Sequence, residues 1–128
     1  MSEFLSGLSI LVVEDEMMVL MNIESALADF GCTAISAAAT IDRALALIET
    51  QSFDLAMLDV NLGGQAKSYA VADALALRGI PFVFSTGYGD HGVDPRFADR
   101  PVLRKPYSDE QLGAALASLL PADQGVAA

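Results

Sequence analysis

The chain has 128 residues, of which 53% are hydrophobic, and its 17 acidic and 7 basic residues give a net charge of −10. This length suits one domain with a single core, and the aliphatic, tryptophan-free composition argues against disorder. The negative charge disfavours binding to nucleic acid or to an anionic membrane surface, because both depend on clusters of Lys and Arg.

Cys32 is the only cysteine, which excludes an intramolecular disulfide and a cysteine metal cluster. The N-terminus lacks the basic and apolar regions of a signal peptide. Each apolar stretch is interrupted well short of the roughly 20 residues that a membrane span needs. We therefore expect a soluble protein of the reducing cytoplasm.

Short apolar runs alternate with helical patterns along the whole chain, which predicts repeated βα units and a parallel sheet covered on both faces. A strand over 9–13 leads into a helix that ends at Phe30, with Gly31 as its stop. A weaker second strand covers 33–37. The pattern is that of an α/β domain.

The middle of the chain repeats this pattern. Thr40 can cap a second helix, and a buried third strand over 54–58 is followed directly by Asp59. The glycine-containing stretch 61–65 is predicted to be a loop. A third helix then begins near Tyr69, and Gly79 terminates it.

A fourth strand is predicted over 81–85. The segment 86–100 that follows has three glycines and no helical stripe, so we expect a mobile loop. Within it, Asp94 and Pro95 could start one short turn.

The last predicted unit begins with a strand over 102–104. Ser108 and Gln111 form a capping box that opens the final helix. We expect the domain to cover residues 1–121 and a flexible tail to cover 122–128, with no linker and no second domain.

Polar side chains follow four of the predicted strands directly. In parallel α/β sheets, ligands bind beyond the carboxyl ends of the strands, where the strand order reverses. The residues expected at that edge are Glu14, Asp15, Asp59, Thr86 and Lys105. Carboxylates about 4 Å apart repel by roughly 4 kcal/mol at an effective dielectric near 20, which is too much for one lysine to offset. Mg²⁺ prefers oxygen ligands, keeps several waters and suits such an open site.

Each acidic residue also has a simpler interpretation when it is taken alone. Acidic residues favour the first turn of a helix because they complement the helix dipole, and this explains Glu16. Asp59 alone could close a strand and cap the loop after it. The coincidence of these carboxylates with Lys105 favours the metal site.

Four stretches together resemble the receiver domain of two-component response regulators, and the resemblance covers essentially the whole chain. They are VVEDE at 12–16, DLAMLDVNLGG at 54–64, FVFSTG at 82–87 and LRKPY at 103–107. The resemblance implies a flavodoxin-like, doubly wound (βα)5 fold with a five-stranded parallel sheet of order 2-1-3-4-5. A fourth helix that is short or disordered is implied by the resemblance of residues 81–88 to a receiver subclass, described below, and agrees with the glycine-rich segment 87–100.

The resemblance assigns a role to each residue of the predicted site. Asp59 would accept a phosphoryl group from a histidine kinase or a histidine phosphotransfer protein. Thr86 would supply a hydroxyl to that group, and Lys105 would pair with one of its oxygens. The Mg²⁺ ion would be held by Asp15, Asp59 and the backbone carbonyl of Asn61, with Glu14 acting mainly through water.

The stretch PFVFSTGY at 81–88 resembles a subclass of mostly single-domain receivers, called FAT GUY after a Pro-Phe-x-Phe-Ala-Thr-Gly-Gly/Tyr motif. Ser85 replaces the alanine of that motif. Many receivers also have an aromatic residue three positions before the lysine, where this chain has Val102, so a rotating-aromatic switch is not expected there. We expect phosphorylation to order the loop 87–100 instead.

The function predicted from these residues is that of a stand-alone receiver, which acts through an unknown downstream protein or as a phosphate sink and is not an enzyme. One alternative is a pseudo-receiver, a protein-binding scaffold that never carries phosphate. Another is a phosphatase of the haloacid-dehalogenase type with an aspartyl nucleophile. That chemistry needs a second carboxylate two residues after the nucleophile, where this chain has Asn61.

Overall fold

Five parallel strands form the central sheet of the computed structural model, which describes residues 3–62, 66–87 and 93–120. The strands are β1 (Ser9–Val13), β2 (Ala34–Ala38), β3 (Leu55–Asp59), β4 (Phe82–Thr86) and β5 (Val102–Arg104). Their order across the sheet is β2-β1-β3-β4-β5. The predicted strand order is therefore confirmed, and the order reverses between β1 and β3.

Four α-helices within the described residues cover the two faces of this sheet. They are α1 (Met17–Asp29), α2 (Ile41–Thr50), α3 (Tyr69–Leu77) and α4 (Asp109–Ala117). One hydrophobic cluster joins α2 and α3 to the sheet, and a second joins α1 and α4 to its other side. The flavodoxin-like fold predicted from the sequence is confirmed.

The strands are hydrophobic along their whole length because both faces of the sheet are covered. Every residue of β3 and β4 is buried. In β1, Leu11 and Val13 belong to the cluster with α2 and α3, whereas Ile10 and Val12 belong to the cluster with α1 and α4. The successive side chains thus alternate between two cores, as the period of a strand requires.

The helix ends follow the predicted capping residues. The Thr40 hydroxyl accepts a hydrogen bond of 3.1 Å from the backbone N–H of Arg43. Ser108 and Gln111 form the expected reciprocal capping box, with bonds of 3.1 and 2.8 Å. Gly31 follows α1 with a φ of +93°, a conformation that L side chains rarely adopt. The N-caps at Thr40 and Ser108 each stabilise their helix by about 1 kcal/mol.

The connection between β4 and β5 contains one short 3₁₀ turn at Pro95–Phe97. Asp94 caps this turn by accepting a hydrogen bond of 2.9 Å from the N–H of Arg96. The turn predicted at Asp94 and Pro95 is thus present among residues 93–100, the part of this connection that the structure describes. Residues 88–92 of the predicted mobile loop lie outside the described residues, and so does the predicted tail 122–128.

The segment predicted as a loop after β3 holds a small hairpin. Asn61–Leu62 and Ala66–Lys67 pair as two antiparallel strands, with Asn61 opposite Lys67. The prediction of a plain loop was therefore incomplete, because two-residue strands leave no periodic pattern in a sequence. Across residues 3–62, 66–87 and 93–120, none of the helices has the length and apolar character that a membrane span requires.

Candidate phosphoryl-acceptor and metal site

The sheet brings the predicted polar residues to a single edge. Glu14 follows β1, Asp59 ends β3, Thr86 ends β4 and Lys105 follows β5. The register places these strand ends side by side: Val13 is opposite Leu58, Asp59 is opposite Ser85, and Thr86 is opposite Arg104. Since β1 and β3 flank the reversal in strand order, the acidic side chains lie where a ligand is expected in this fold.

Three carboxylates form the centre of the site. Glu14, Asp15 and Asp59 each offer an oxygen atom, and these atoms all lie within 4.8 Å of one another. Glu14 is 2% exposed and Asp59 is 6% exposed, whereas Asp15 faces solvent. The cluster therefore combines two buried acids with one that solvent can reach.

Lys105 connects the two buried acids. Its Nζ lies 3.0 Å from Asp59 Oδ2 and 3.2 Å from Glu14 Oε1. The backbone N–H of Lys105 donates to the carbonyl oxygen of Thr86 at 2.8 Å, which anchors the lysine to the end of β4. The next peptide bond, between Lys105 and Pro106, is cis. One ammonium group thus faces two carboxylates, and the local charge remains negative.

Backbone N–H groups fix the same two carboxylates from the other side. The N–H of Asn61 donates to Asp59 Oδ1 at 3.2 Å, and the N–H of Glu16 donates to Glu14 Oε2 at 3.1 Å. Asp59 therefore has one oxygen on a backbone amide and the other on Lys105. Such fixed contacts hold the carboxylate in a single orientation.

Burial and the charges of the cluster together change the pKa values of its members. Burial, followed by the charge of Asp59, raises the pKa of Glu14 from 4.5 to about 7. Burial alone would lower the pKa of Lys105, but its hydrogen bonds and charge interactions with Asp59 and Glu14 outweigh that effect and raise it. Lys105 is therefore charged at neutral pH, whereas Glu14 is close to its midpoint.

The residues fit a hard divalent cation. Two buried carboxylates and one exposed carboxylate meet at a site where a single lysine offsets part of their charge. A cation bound among them would relieve the repulsion that raises the pKa of Glu14. The donor atoms are carboxylate oxygens, which Mg²⁺ prefers over nitrogen and sulfur ligands.

Thr86 lies at the same edge of the sheet, where it lines a cleft next to β5. It is 2% exposed and lines a cleft of about 500 Å³ together with residues of β5 and α4. Val102 and Tyr107 also line this cleft. Val102, at the position where many receivers have an aromatic residue, is 43% exposed. The structure thus brings Glu14, Asp59 and Lys105 into contact, Asp15 close to them, and Thr86 to the neighbouring strand end.

Two further residues at this edge were not predicted from the sequence to be part of the site. The Nζ of Lys67 donates a hydrogen bond to Oδ1 of Asn61, its partner in the hairpin. The hydroxyl of Tyr107 is buried and has no hydrogen-bond partner among the described residues. Two glycines between short segments are a known hairpin signal, and this signal at residues 63 and 64 could have indicated Lys67. No sequence signal identifies the Tyr107 hydroxyl.

Comparison with protein families identifies the chain. The pattern of the "Response regulator receiver domain" family matches residues 10–117. The chain belongs to the response regulator receiver domain family. Receiver domains are components of two-component signalling, and they are generally phosphoryl acceptors rather than enzymes. As a family they bind Mg²⁺ at an acidic pocket and interact with histidine kinases or phosphotransfer proteins.

Solved structures similar to the chain include other receiver domains. The solution structure of SdrG from Sphingomonas melonis Fr1 is 48% identical with a TM-score of 0.81, covering 89% of this chain and 97% of that one. The BeF3-activated conformation of SdrG from Pseudomonas melonis Fr1 is 49% identical with a TM-score of 0.76, covering 88% and 96%.

Solved structures with lower sequence identity to the chain show a similar fold and nothing more. A receiver protein from Sinorhizobium medicae WSM419 is 23% identical with a TM-score of 0.75, covering 90% of this chain and 95% of that one. Among curated proteins, none matches the chain significantly.

Proposed function

We propose that Asp59 accepts a phosphoryl group from a phosphohistidine of a histidine kinase or phosphotransfer protein, and that the phosphorylated chain acts on a downstream protein or drains phosphate from the pathway. One observation carries this proposal. The Asp59 carboxylate is nearly buried, and Lys105 and the Asn61 N–H hold it beside two further carboxylates.

The transfer is a displacement at phosphorus. An oxygen of Asp59 attacks the phosphorus atom, the bond from phosphorus to the histidine nitrogen breaks, and its electron pair stays on the imidazole. A carboxylate is a weak nucleophile, so the protein contributes mainly position and charge. The two fixed contacts of Asp59 supply the position.

Lys105 supplies part of the charge. It already pairs with Asp59 at 3.0 Å, and its ammonium can follow the new negative charge onto a phosphoryl oxygen. The Thr86 hydroxyl, at the adjacent strand end, would donate to another oxygen of the group. Asp15, Asp59 and the backbone carbonyl of Asn61 would hold Mg²⁺, with Glu14 acting through water. The bound ion would neutralise charge on the transferring oxygens.

Membership of the FAT GUY subclass belongs to the same proposal. It is supported by the sequence of β4 with its flanking residues and by the 3₁₀ turn that the described residues 93–100 contain between β4 and β5. The last residue of the motif, Tyr88, lies outside the described residues. The BeF3-activated conformation of SdrG supports phosphorylation as the activating event, because beryllofluoride mimics the shape and charge of a phosphoryl group.

The two alternative functions lack comparable support. A phosphatase would need a general acid two residues after Asp59, and Asn61 has an amide there. A scaffold that never carries phosphate would not need a lysine paired with a buried aspartate, an arrangement that is costly to maintain. A cytoplasmic location, where kinase domains act, also remains part of the proposal.

Intact-mass measurement tests this function. The chain is incubated with Mg²⁺ and acetyl phosphate, beside an Asp59→Asn control. We expect one acid-stable, base-labile phosphoryl group on the chain and none on the control. Repeated turnover of the donor would indicate a phosphatase, and no uptake by either protein would indicate a scaffold.

A further inference from the structure

Lys67 is connected to the phosphoryl-acceptor aspartate through one intermediate residue. Its Nζ donates a hydrogen bond to the side-chain oxygen Oδ1 of Asn61. The backbone N–H of the same Asn61 donates to Asp59 Oδ1 at 3.2 Å. The antiparallel register of the hairpin, with Asn61 opposite Lys67, holds the lysine in place for this contact. Lys67 and Lys105 are the only lysines of the chain, and both are directed at this site.

The backbone of Asn61 therefore contacts the carboxylate that would carry the phosphoryl group, and the side-chain amide of the same residue starts beside that carboxylate. An acyl phosphate is lost when a water oxygen attacks the phosphorus and the bond from phosphorus to the aspartate oxygen breaks. The electron pair of that bond stays on the carboxylate, and the proton of the water leaves with inorganic phosphate or to solvent. A side-chain amide oxygen speeds such an attack when it accepts a hydrogen bond from the water and orients it.

The contact with Lys67 opposes this use of the amide. Asn61 has one side-chain acceptor atom, Oδ1, and the lysine ammonium takes one of its two lone-pair positions and fixes the direction in which the oxygen points. A hydrogen bond from a charged donor is stronger than one from water, so the lysine competes effectively for the oxygen. The amide hydrogens that remain are donors, and they cannot accept a bond from an attacking water molecule.

We propose that Lys67 is a positioning residue that prolongs the life of the phosphoryl group on Asp59, because it holds the Asn61 amide oxygen away from the attacking water. This inference rests on the proposed function. It assigns a kinetic role to the hairpin between β3 and α3, and that role concerns the loss of the phosphoryl group and not its acquisition.

The test measures how fast the phosphoryl group is lost. Protein phosphorylated with acetyl phosphate is freed of donor, and the decay of the phosphorylated fraction is followed by intact mass. Lys67→Met keeps the length of the side chain and removes the donor, whereas Lys67→Arg retains a cationic donor. Arg78→Met is the matched control, because Arg78 is exposed at the far end of α3 and its loss changes the net charge equally.

We expect Lys67→Met to speed the decay about fivefold, the factor that one hydrogen bond of about 1 kcal/mol corresponds to. Lys67→Arg should restore most of the lifetime, and Arg78→Met should leave it unchanged. In an Asn61→Ala background, Lys67→Met should have no further effect, since the amide oxygen is already absent.

Two results would overturn the inference while leaving the proposed function intact. One is an unchanged decay rate in Lys67→Met. The other is an equal acceleration in the Asn61→Ala background, which would assign the effect to charge alone. If no variant and no parent protein ever acquires a base-labile phosphoryl group, the proposed function fails and the inference fails with it.

Discussion

Lys105 and Asp59 lie 3.0 Å apart, although they come from the ends of different, non-adjacent strands. The same lysine is 3.2 Å from Glu14, whose side chain is 1% exposed. The lysine therefore holds together two carboxylates that would otherwise repel each other inside the protein. Removal of the lysine would leave that repulsion without a counter-charge at the candidate site.

Lys105→Met should destabilise the metal-free protein. The variant leaves Glu14 and Asp59 buried near each other without a cation. We expect the free energy of unfolding to fall by about 2 kcal/mol, less than the roughly 3–5 kcal/mol of a fully buried pair, because Lys105 is partly exposed. Urea unfolding in the presence of a chelator measures this change. The loss should be much smaller when Asp59→Asn is also present, because the repulsion is then already removed. Equal stability of Lys105→Met and the parent chain would argue against the charge balance described here.

The stability of the metal-free protein should depend on the ionisation of Glu14. The pKa of this carboxyl is about 7 in the folded protein and 4.5 without the fold. The folded state therefore binds the proton more tightly, and the stabilisation that the protonated carboxyl provides is lost as the pH rises through about 7. Between about pH 5 and about pH 8, the unfolding free energy of the parent protein should fall relative to that of Glu14→Gln. A difference that stays constant over this range would contradict the raised pKa.

Mg²⁺ should stabilise the fold through the same carboxylates. A ligand that binds only the folded state adds about 1.4 kcal/mol of stability for each tenfold excess over its Kd. Thermal unfolding at increasing Mg²⁺ concentration should therefore show a rising Tm, and Asp15→Asn should abolish the rise. Asp29→Asn is the matched control, since Asp29 is an exposed acid at the other end of α1. A rise that survives in Asp15→Asn would place the ion elsewhere.

Two tyrosine hydroxyls should contribute differently to stability. The Tyr69 hydroxyl accepts a hydrogen bond of 2.9 Å from the N–H of Asp94, and its ring stacks on Phe97 at 5.9 Å. Tyr69→Phe keeps the stacking but leaves the Asp94 N–H without its partner, so we expect a loss of about 1 kcal/mol.

Tyr107→Phe provides the comparison. The Tyr107 hydroxyl is buried without a hydrogen-bond partner among the described residues, and burial raises its pKa to about 12. Its removal should leave the free energy of unfolding unchanged or raise it slightly, because a buried hydroxyl without a partner is unfavourable. Urea unfolding of Tyr69→Phe, Tyr107→Phe and the parent protein measures both changes in the free energy of unfolding. The expectation fails if Tyr107→Phe costs as much as Tyr69→Phe.

The sequence predicted most of the fold because its signals are local. The strands Ser9–Val13 and Val102–Arg104 were predicted with the bounds that the structure has, and the other three sheet strands were placed within one residue. The capping box of Ser108 and Gln111 was also predicted, since it is a short motif with a direct backbone consequence. The set of residues at the site followed from the rule that parallel strands end at one edge.

The remaining features depend on contacts that a sequence does not encode locally. The bond from Lys67 to Asn61 forms across a hairpin whose two strands have two residues each, too few for a periodic pattern. The raised pKa of Glu14 depends on how deeply a residue next to a strand end is buried. The buried Tyr107 hydroxyl depends on the packing of the start of α4. Each arises from tertiary packing.

The site of phosphorylation is the most direct test of the central claim. Borohydride reduces an acyl phosphate on an aspartate to the alcohol, so peptide mapping after reduction marks the acceptor residue. After incubation with Mg²⁺ and acetyl phosphate, we expect the reduced residue at position 59 and at no other carboxylate. A reduced residue at position 14 or 15, or none in a chain that has taken up phosphate, would contradict the account.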